Sequence, residues 1–326
     1  MGLKNTFGWS LSRESLFDSC RKRYYFHYYL SWEGWKAGAP EITREAFLLK
    51  RLVSLALWRG QLVHYITSKV LQSTRRKGRI PAEEKVLEYA GERFDRQYQF
   101  SARRRYLDTP KKTGGKLNID WLALFDHEYG LRIPARKLEN AREEVKEGLK
   151  NLIHSDILRR ASLSDSSQWI IEDIDMSEFA QSFYFRGVKI FVKTDFIFRC
   201  REGLLNIVDW KTFSGSGNNK YGGKDQLGLY GYYAVRQMNE PPENVALTEV
   251  NLLDSASEKS FRLGGKDISR AEERIEKGIE KLSSVIQGGD IEKNRPLPPG
   301  NFPPDPGVQC RFCNFRRICS DAAYPA

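Results

Sequence analysis

Residues 191–230, FVKTDFIFRCREGLLNIVDWKTFSGSGNNKYGGKDQLGLY, constrain this chain more than any other stretch. They set two β-rich runs head to tail and place acids, a lysine and an amide on them. Residues 190–199 are β-branched and aromatic and carry Asp195; residues 204–213 form a second such run ending in Asp209-Trp210-Lys211. Arg201-Glu202-Gly203 between them reads as the turn of a hairpin. Side chains alternate along a strand, so Asp209 and Lys211 share one face while Val208 and Trp210 take the other. Pairing around the turn brings Asp195 within reach of Asp209, and two carboxylates held close together are strained unless a cation lies between them. Oxygen ligands suit a hard divalent ion such as Mg²⁺ or Mn²⁺. On the next helical stretch, residues 225–237, Gln226 and Tyr230 stand one turn apart on a common face, a pair that also fits an ordinary amphipathic helix.

In this order the residues resemble the PD-(D/E)XK nuclease superfamily, and more narrowly its RecB-like branch, which includes the AddB nuclease domain and the Cas4 proteins of CRISPR systems. The family pattern is a histidine on an early helix, an aspartate after a Gly-containing hairpin, D/E-x-K, then Q-x-x-x-Y. Here these fall on His64, Asp195, Asp209-Trp210-Lys211, and Gln226 with Tyr230. Glu172, closing the apolar run Trp169-Ile170-Ile171, sits where many relatives carry a further acid. One departure is that the Gly-x-x-x-D often seen before the second motif reads Val192-Lys193-Thr194-Asp195.

The resemblance implies an α/β, restriction-endonuclease-like αβββαβ core with a helical insertion. It implies that His64, Asp195, Asp209 and the Trp210 carbonyl hold Mg²⁺ or Mn²⁺, with Glu172 assisting, and that Lys211 acts on the attacking water. Gln226 and Tyr230 would orient the lysine or a phosphate. The expected activity is DNA hydrolysis, exonuclease-like, leaving 5′-phosphate and 3′-hydroxyl ends. The alternative from another class is a non-catalytic DNA-binding or adaptor subunit; intact Asp195, Asp209 and Lys211 argue against it. Asp-x-Lys alone occurs by chance in most chains of this size, so the ordered set carries the reading.

Three of the five cysteines crowd into the C-terminal segment as C-x2-C-x5-C, at Cys310, Cys313 and Cys319. In a reducing compartment clustered cysteines point to metal ligation rather than disulfides. Three thiolates fall one short of a tetrahedral zinc or a cubane cluster, and the resemblance implies that Cys20 is the fourth. Spacing leaves zinc and iron–sulfur both open; the resemblance implies a [4Fe–4S] cluster joining the two ends of the chain. Cys200, at the end of an aromatic run, reads as a small buried hydrophobe.

The 326 residues carry a formal charge of +11 at pH 7 and a pI near 9.3, which favours a polyanionic partner. The expected partner is DNA, single-stranded or with free ends. No G-x-x-x-x-G-K-[ST] motif is present, so unwinding would come from a helicase, CRISPR or repair protein partner. No apolar run approaches the roughly 20 residues that cross a bilayer, and residues 1–15 lack a secretory apolar core. A cytoplasmic protein without a membrane partner is expected.

Composition shifts suggest four segments. Residues 1–36 form an N-terminal helix containing Cys20, residues 37–163 a helical subdomain with His64, residues 164–295 the nuclease core, and residues 296–326 the cysteine segment behind a Pro-rich connector. A single aromatic helix is expected over residues 10–33, its tyrosines packing the core rather than stacking on bases. Long helices are expected over residues 43–73, bent at Gly60, and over residues 136–163. Basic clusters at 103–105 and 111–116 suit either phosphate contact or a solvated face.

Overall fold

In the computed structural model, which describes residues 4–171, 181–213 and 224–322, the aromatic N-terminal stretch is not one helix. Strand β1 (Gly8–Trp9) leads into α1 (Leu11–Ser19), where the Ser10 hydroxyl caps the helix by accepting the Arg13 N–H at 3.2 Å. The helix then breaks at Cys20, extended at φ −174°, which closes α1 and caps α2 (Arg21–Tyr25). A π-helical turn, Phe26–Leu30, follows. Tyr24 and Phe26 are buried, Tyr24 edge-on to Phe17 at 5.2 Å and Phe26 5.6 Å from Phe315. Tyr25 lies 4.9 Å from Phe302, so the stripe binds the C-terminal segment to the body and packs as core.

The helical region comprises α3 (Glu41–Leu49), α4 (Leu55–Lys77), α5 (Glu83–Ala102), the hairpin β2 (Lys112–Thr113) with β3 (Lys116–Leu117), α6 (Phe125–Glu128), α7 (Ala135–Ile153) and α8 (Asp156–Ser162). Both long helices expected from sequence are therefore divided. Residues 50–54 interrupt the first, and Ser54 starts α4 by accepting the Leu57 N–H at 3.2 Å; Gly60 lies inside α4 and is not the breaking point. The second divides at residues 154–155, where the Ser155 hydroxyl caps α8. In each case local capping stops a helix whose apolar pattern continues.

Strands β4 (Ile170–Ile171), β5 (Ser182–Phe185), β6 (Val188–Phe191), β7 (Phe196–Arg199) and β8 (Leu205–Lys211) precede α9 (Lys224–Gln237), then β9 (Val245–Asn251), β10 (Ser257–Arg262) and α10 (Gly265–Ser283). The main sheet has the order β10-β9-β8-β7-β4, and the smaller one β1-β6-β5. The run 190–199 is thus not one strand: β6 pairs with β1 and β5, and the chain crosses over residues 192–195 to begin β7 in the other sheet. The β7–β8 hairpin does form, with Gly203 at φ +85° in its turn. Strand β8 runs parallel to β9, with α9 between them in the chain.

The main sheet is covered on both faces, which explains why β8 is buried without a break from Leu205 to Trp210. Phe196, Phe198, Val208 and Trp210 belong to a core shared with α4, α5 and α7, whereas Ile197, Leu205 and Ile207 belong to one shared with α9 and α10. A third cluster joins Phe26 and Leu49 to Phe125 and Phe315. Among the described residues no helix is long and apolar enough to cross a membrane.

The N-terminal segment is held by a buried charge. Glu14, 1% exposed, accepts from the Trp9 indole N–H at 3.0 Å, Arg274 at 2.7 Å and Lys281 at 2.7 Å. Burial works to raise its pKa, but Arg274 and Lys281 outweigh it and the net direction is down. Its contribution is therefore present above the ordinary glutamate range and lost as pH falls through the lowered value. Gly278 makes room for this cluster, because a Cβ there would stand 2.0 Å from Trp9 Nε1 and 2.6 Å from Glu14 Oε2. Gly278→Ala is expected to destabilise by about 1–3 kcal/mol through overpacking. Glu14→Gln is expected to cost about 1–3 kcal/mol at neutral pH and to flatten the acid limb of stability against pH. Urea melts from pH 3 to 7 read both; an unchanged acid limb in Glu14→Gln would exclude Glu14 from that role.

Candidate active site

The β7–β8 register sets Phe196 opposite Val208, so one step further along the same ladder Asp195 falls opposite Asp209. Both acids are buried. Asp195 Oδ2 accepts the Trp210 backbone N–H at 2.8 Å, and Oδ1 accepts from His64 Nδ1 at 3.2 Å. Lys211, two residues beyond Asp209 on the same face, brings Nζ to 2.5 Å from Asp209 Oδ2. That ion pair is the contact Oδ2 makes, and no further donor reaches this buried oxygen.

Helix α9 supplies the second layer. Lys211 Nζ donates to Gln226 Oε1 at 3.0 Å, while Gln226 Nε2 reaches Asp209 Oδ1 at 3.1 Å and Tyr230 Oη at 2.6 Å. The Tyr230 hydroxyl donates to the Lys193 carbonyl at 2.5 Å. The amide thus ties lysine and acid together, and the phenol ties the amide to the crossing between the sheets. His64, Asp195, Asp209, Trp210, Lys211, Gln226 and Tyr230 are brought to one place; Glu172 lies outside the described residues.

The two carboxylates differ electrostatically. Burial and the neighbouring Asp195 charge push Asp209 up to about 6, against the pull of Lys211. Burial also works to raise Asp195, yet the nearby His64, with the Trp210 N–H, holds it below the usual carboxylate range. One acid is thus the more readily ionised while its neighbour resists ionisation, as two close carboxyls do. The donor set, two buried carboxylates and an imidazole, fits a hard divalent ion in its chemistry. Among the described residues no three His, Cys, Asp or Glu side chains already stand grouped as ligands.

One feature of the site carries no clear sequence signal. Arg59 pairs with Glu144 and donates to the Thr212 carbonyl at 2.6 Å, clamping α4 to the end of β8 just past Lys211. Gly60 lets that approach happen, because a Cβ there would meet Thr212 Oγ1 at 3.0 Å. The glycine expected to bend the helix instead allows close packing one turn before His64.

Cys20, Cys310, Cys313 and Cys319 line one cavity together with Phe26 and Phe315. Cys20 Sγ accepts the Arg23 N–H at 3.4 Å. Burial pushes the Cys313 and Cys319 thiols up, and each is raised further by Cys20. The cysteines converge as a set but are not drawn to ligating distances. Cys200 lies elsewhere, packed against the core that includes Phe198.

A search of the curated proteins finds no match to the chain. Among solved structures, one described as "Crystal structure of SSO0001" aligns over 82% of this chain and 100% of that one, at 15% identity and a TM-score of 0.27. The family model of the PD-(D/E)XK nuclease superfamily matches residues 8–320. Because that match takes in nearly the whole sequence rather than a single strand pair, the chain belongs to the PD-(D/E)XK nuclease superfamily.

Proposed function

We propose that this chain is a metal-dependent DNA exonuclease of the RecB-like, AddB- or Cas4-related branch, yielding 5′-phosphate and 3′-hydroxyl ends. Superfamily membership implies nuclease activity on DNA in general, and its members typically use Mg²⁺ or Mn²⁺. The observation that carries the finer reading is the buried pair Asp195 and Asp209 with Lys211 against one of them and His64 against the other. An adaptor would have no use for two strained acids and a lysine oriented by Gln226.

Asp195, Asp209, His64 and the Trp210 carbonyl would hold the ion, with Glu172 as a further candidate. Bound there, the ion would supply Lewis-acid neutralisation of the phosphate and of the leaving oxygen. Lys211, fixed by Gln226, is placed to orient the attacking water and to offset charge building on the phosphorane. Tyr230 keeps Gln226 in position from behind. The four cysteines are proposed to hold a [4Fe–4S] cluster, with zinc as the alternative, closing the N- and C-terminal segments on one another. A cytoplasmic setting with a helicase, CRISPR or repair protein as partner goes with this reading.

End-labelled single- and double-stranded DNA, incubated with Mn²⁺ or Mg²⁺, tests the activity directly; no cleavage of either by metal-loaded protein would sink it. Since Asp209 titrates near 6, metal entry must displace a proton below that pH. Apparent Mn²⁺ affinity is therefore expected to fall by about tenfold or more per pH unit below 6. Isothermal titration across pH 5–8 checks this, and a flat profile would mean that Asp209 does not take up the ion.

A further inference from the structure

A groove of about 560 Å³ reaches His64, which contacts Asp195 at 3.2 Å, and is lined on the same side by Lys193 and Thr212. It runs along α4 to the β2–β3 hairpin, whose turn is Gly114-Gly115 at φ +58° and +79°. Its floor is rigid. Gln97 accepts the Trp58 indole N–H at 2.6 Å and donates to the Ile119 carbonyl at 2.7 Å, cross-tying α4, α5 and the turn after the hairpin. The walls are of two kinds. Leu57, 52% exposed, and Leu117 present apolar surface, while Lys111, its ammonium 5.5 Å from the Trp121 ring centre, and Lys193 bring positive charge.

Resting on the nuclease reading above, we propose that this groove receives one unpaired nucleotide of the substrate strand next to the phosphate being cut. The volume lies within the roughly 300–1,000 Å³ typical of small-ligand pockets, which suits a nucleotide rather than a helix. A duplex turns phosphates and sugars outward and would set them against Leu57 and Leu117. An unpaired base instead offers a flat apolar face to those leucines while its phosphates meet the lysines, the combination by which single strands are held. Continuity with the acids fixes the occupant as the residue adjoining the scissile bond. The Asn118 amide, at the hairpin's end of the groove, gives the base edge a polar partner. Cutting would then require unpairing at that one position, whatever the state of the remaining strand.

The test uses full-length wild-type protein with Mn²⁺ and end-labelled strands carrying a single abasic residue at successive positions, with a fully paired duplex alongside. The abasic residue is expected to lower kcat/KM at least tenfold only when it adjoins the cut bond, and the duplex is expected to be cut at least tenfold more slowly than the single strand. Equal cleavage of intact, abasic and duplex DNA overturns the groove proposal and leaves the nuclease reading standing; no cleavage of any substrate overturns both. Leu57→Glu adds an independent reading, because Leu57 is largely exposed and its replacement spares the core. It is expected to raise KM at least tenfold on intact strands, with an effect not additive to the abasic one. Full additivity of the two would overturn the base contact.

Discussion

Asp209→Asn is expected to reduce DNA cleavage on the order of 10³-fold while leaving the metal-free protein at least as stable as wild type. The two effects separate because the wild-type carboxyl is raised to about 6 by burial and by Asp195. A raised carboxyl pKa contributes stability only while the group is protonated, and that contribution is lost as pH rises through about 6. Asparagine keeps the shape and the Gln226 contact without the charge. Lys211→Ala should lose cleavage to a similar degree but not gain stability, since it strips Asp209 of its cation at 2.5 Å. The measurements are kcat on end-labelled strands and thermal melting in chelator at neutral pH. Activity within tenfold of wild type in both variants would remove these residues from the reaction.

Cys313→Ala carries the second large expected effect. Anaerobically purified wild-type protein should be brown with four irons per chain, and the variant should lose that absorption together with several kcal/mol of stability. The size follows from topology: a cluster bridging Cys20 to Cys310, Cys313 and Cys319 would close a loop of nearly the whole chain, and a structural metal site contributes its binding energy to folding. Cys200→Ala serves as the control, because Cys200 is absent from that cavity. Stoichiometric zinc in colourless protein would replace iron in this account, and metal-free wild type with unchanged melting in Cys313→Ala would abolish the clip.

The chemistry was more legible in the sequence than the architecture around it. Alternation along residues 205–211 suffices to place Asp209 beside Lys211, and a one-turn spacing suffices to align Gln226 with Tyr230, because both depend only on local periodicity. The crossing at residues 192–195 was hidden because its flanks share one β-branched, aromatic composition. What divides them is tertiary: the Thr194 hydroxyl turns to the Gln181 side chain at 2.6 Å instead of continuing a ladder. Ser54 and Ser155 were available as helix-start signals inside patterns read as continuous, whereas the break at Cys20 has neither glycine nor proline to announce it. Arg59 and the groove beside His64 arise where distant segments meet, which no spacing rule reports.

The pairing of β1 with β6, Trp9 against Ile190, imposes an order of events on biosynthesis. At roughly 5–20 residues per second the ribosome needs on the order of ten seconds or more to deliver the partner strand, during which Trp9 and Phe17 have no permanent place to dock. A nascent chain of this kind is a natural client for chaperones that shield aromatic segments near the exit tunnel.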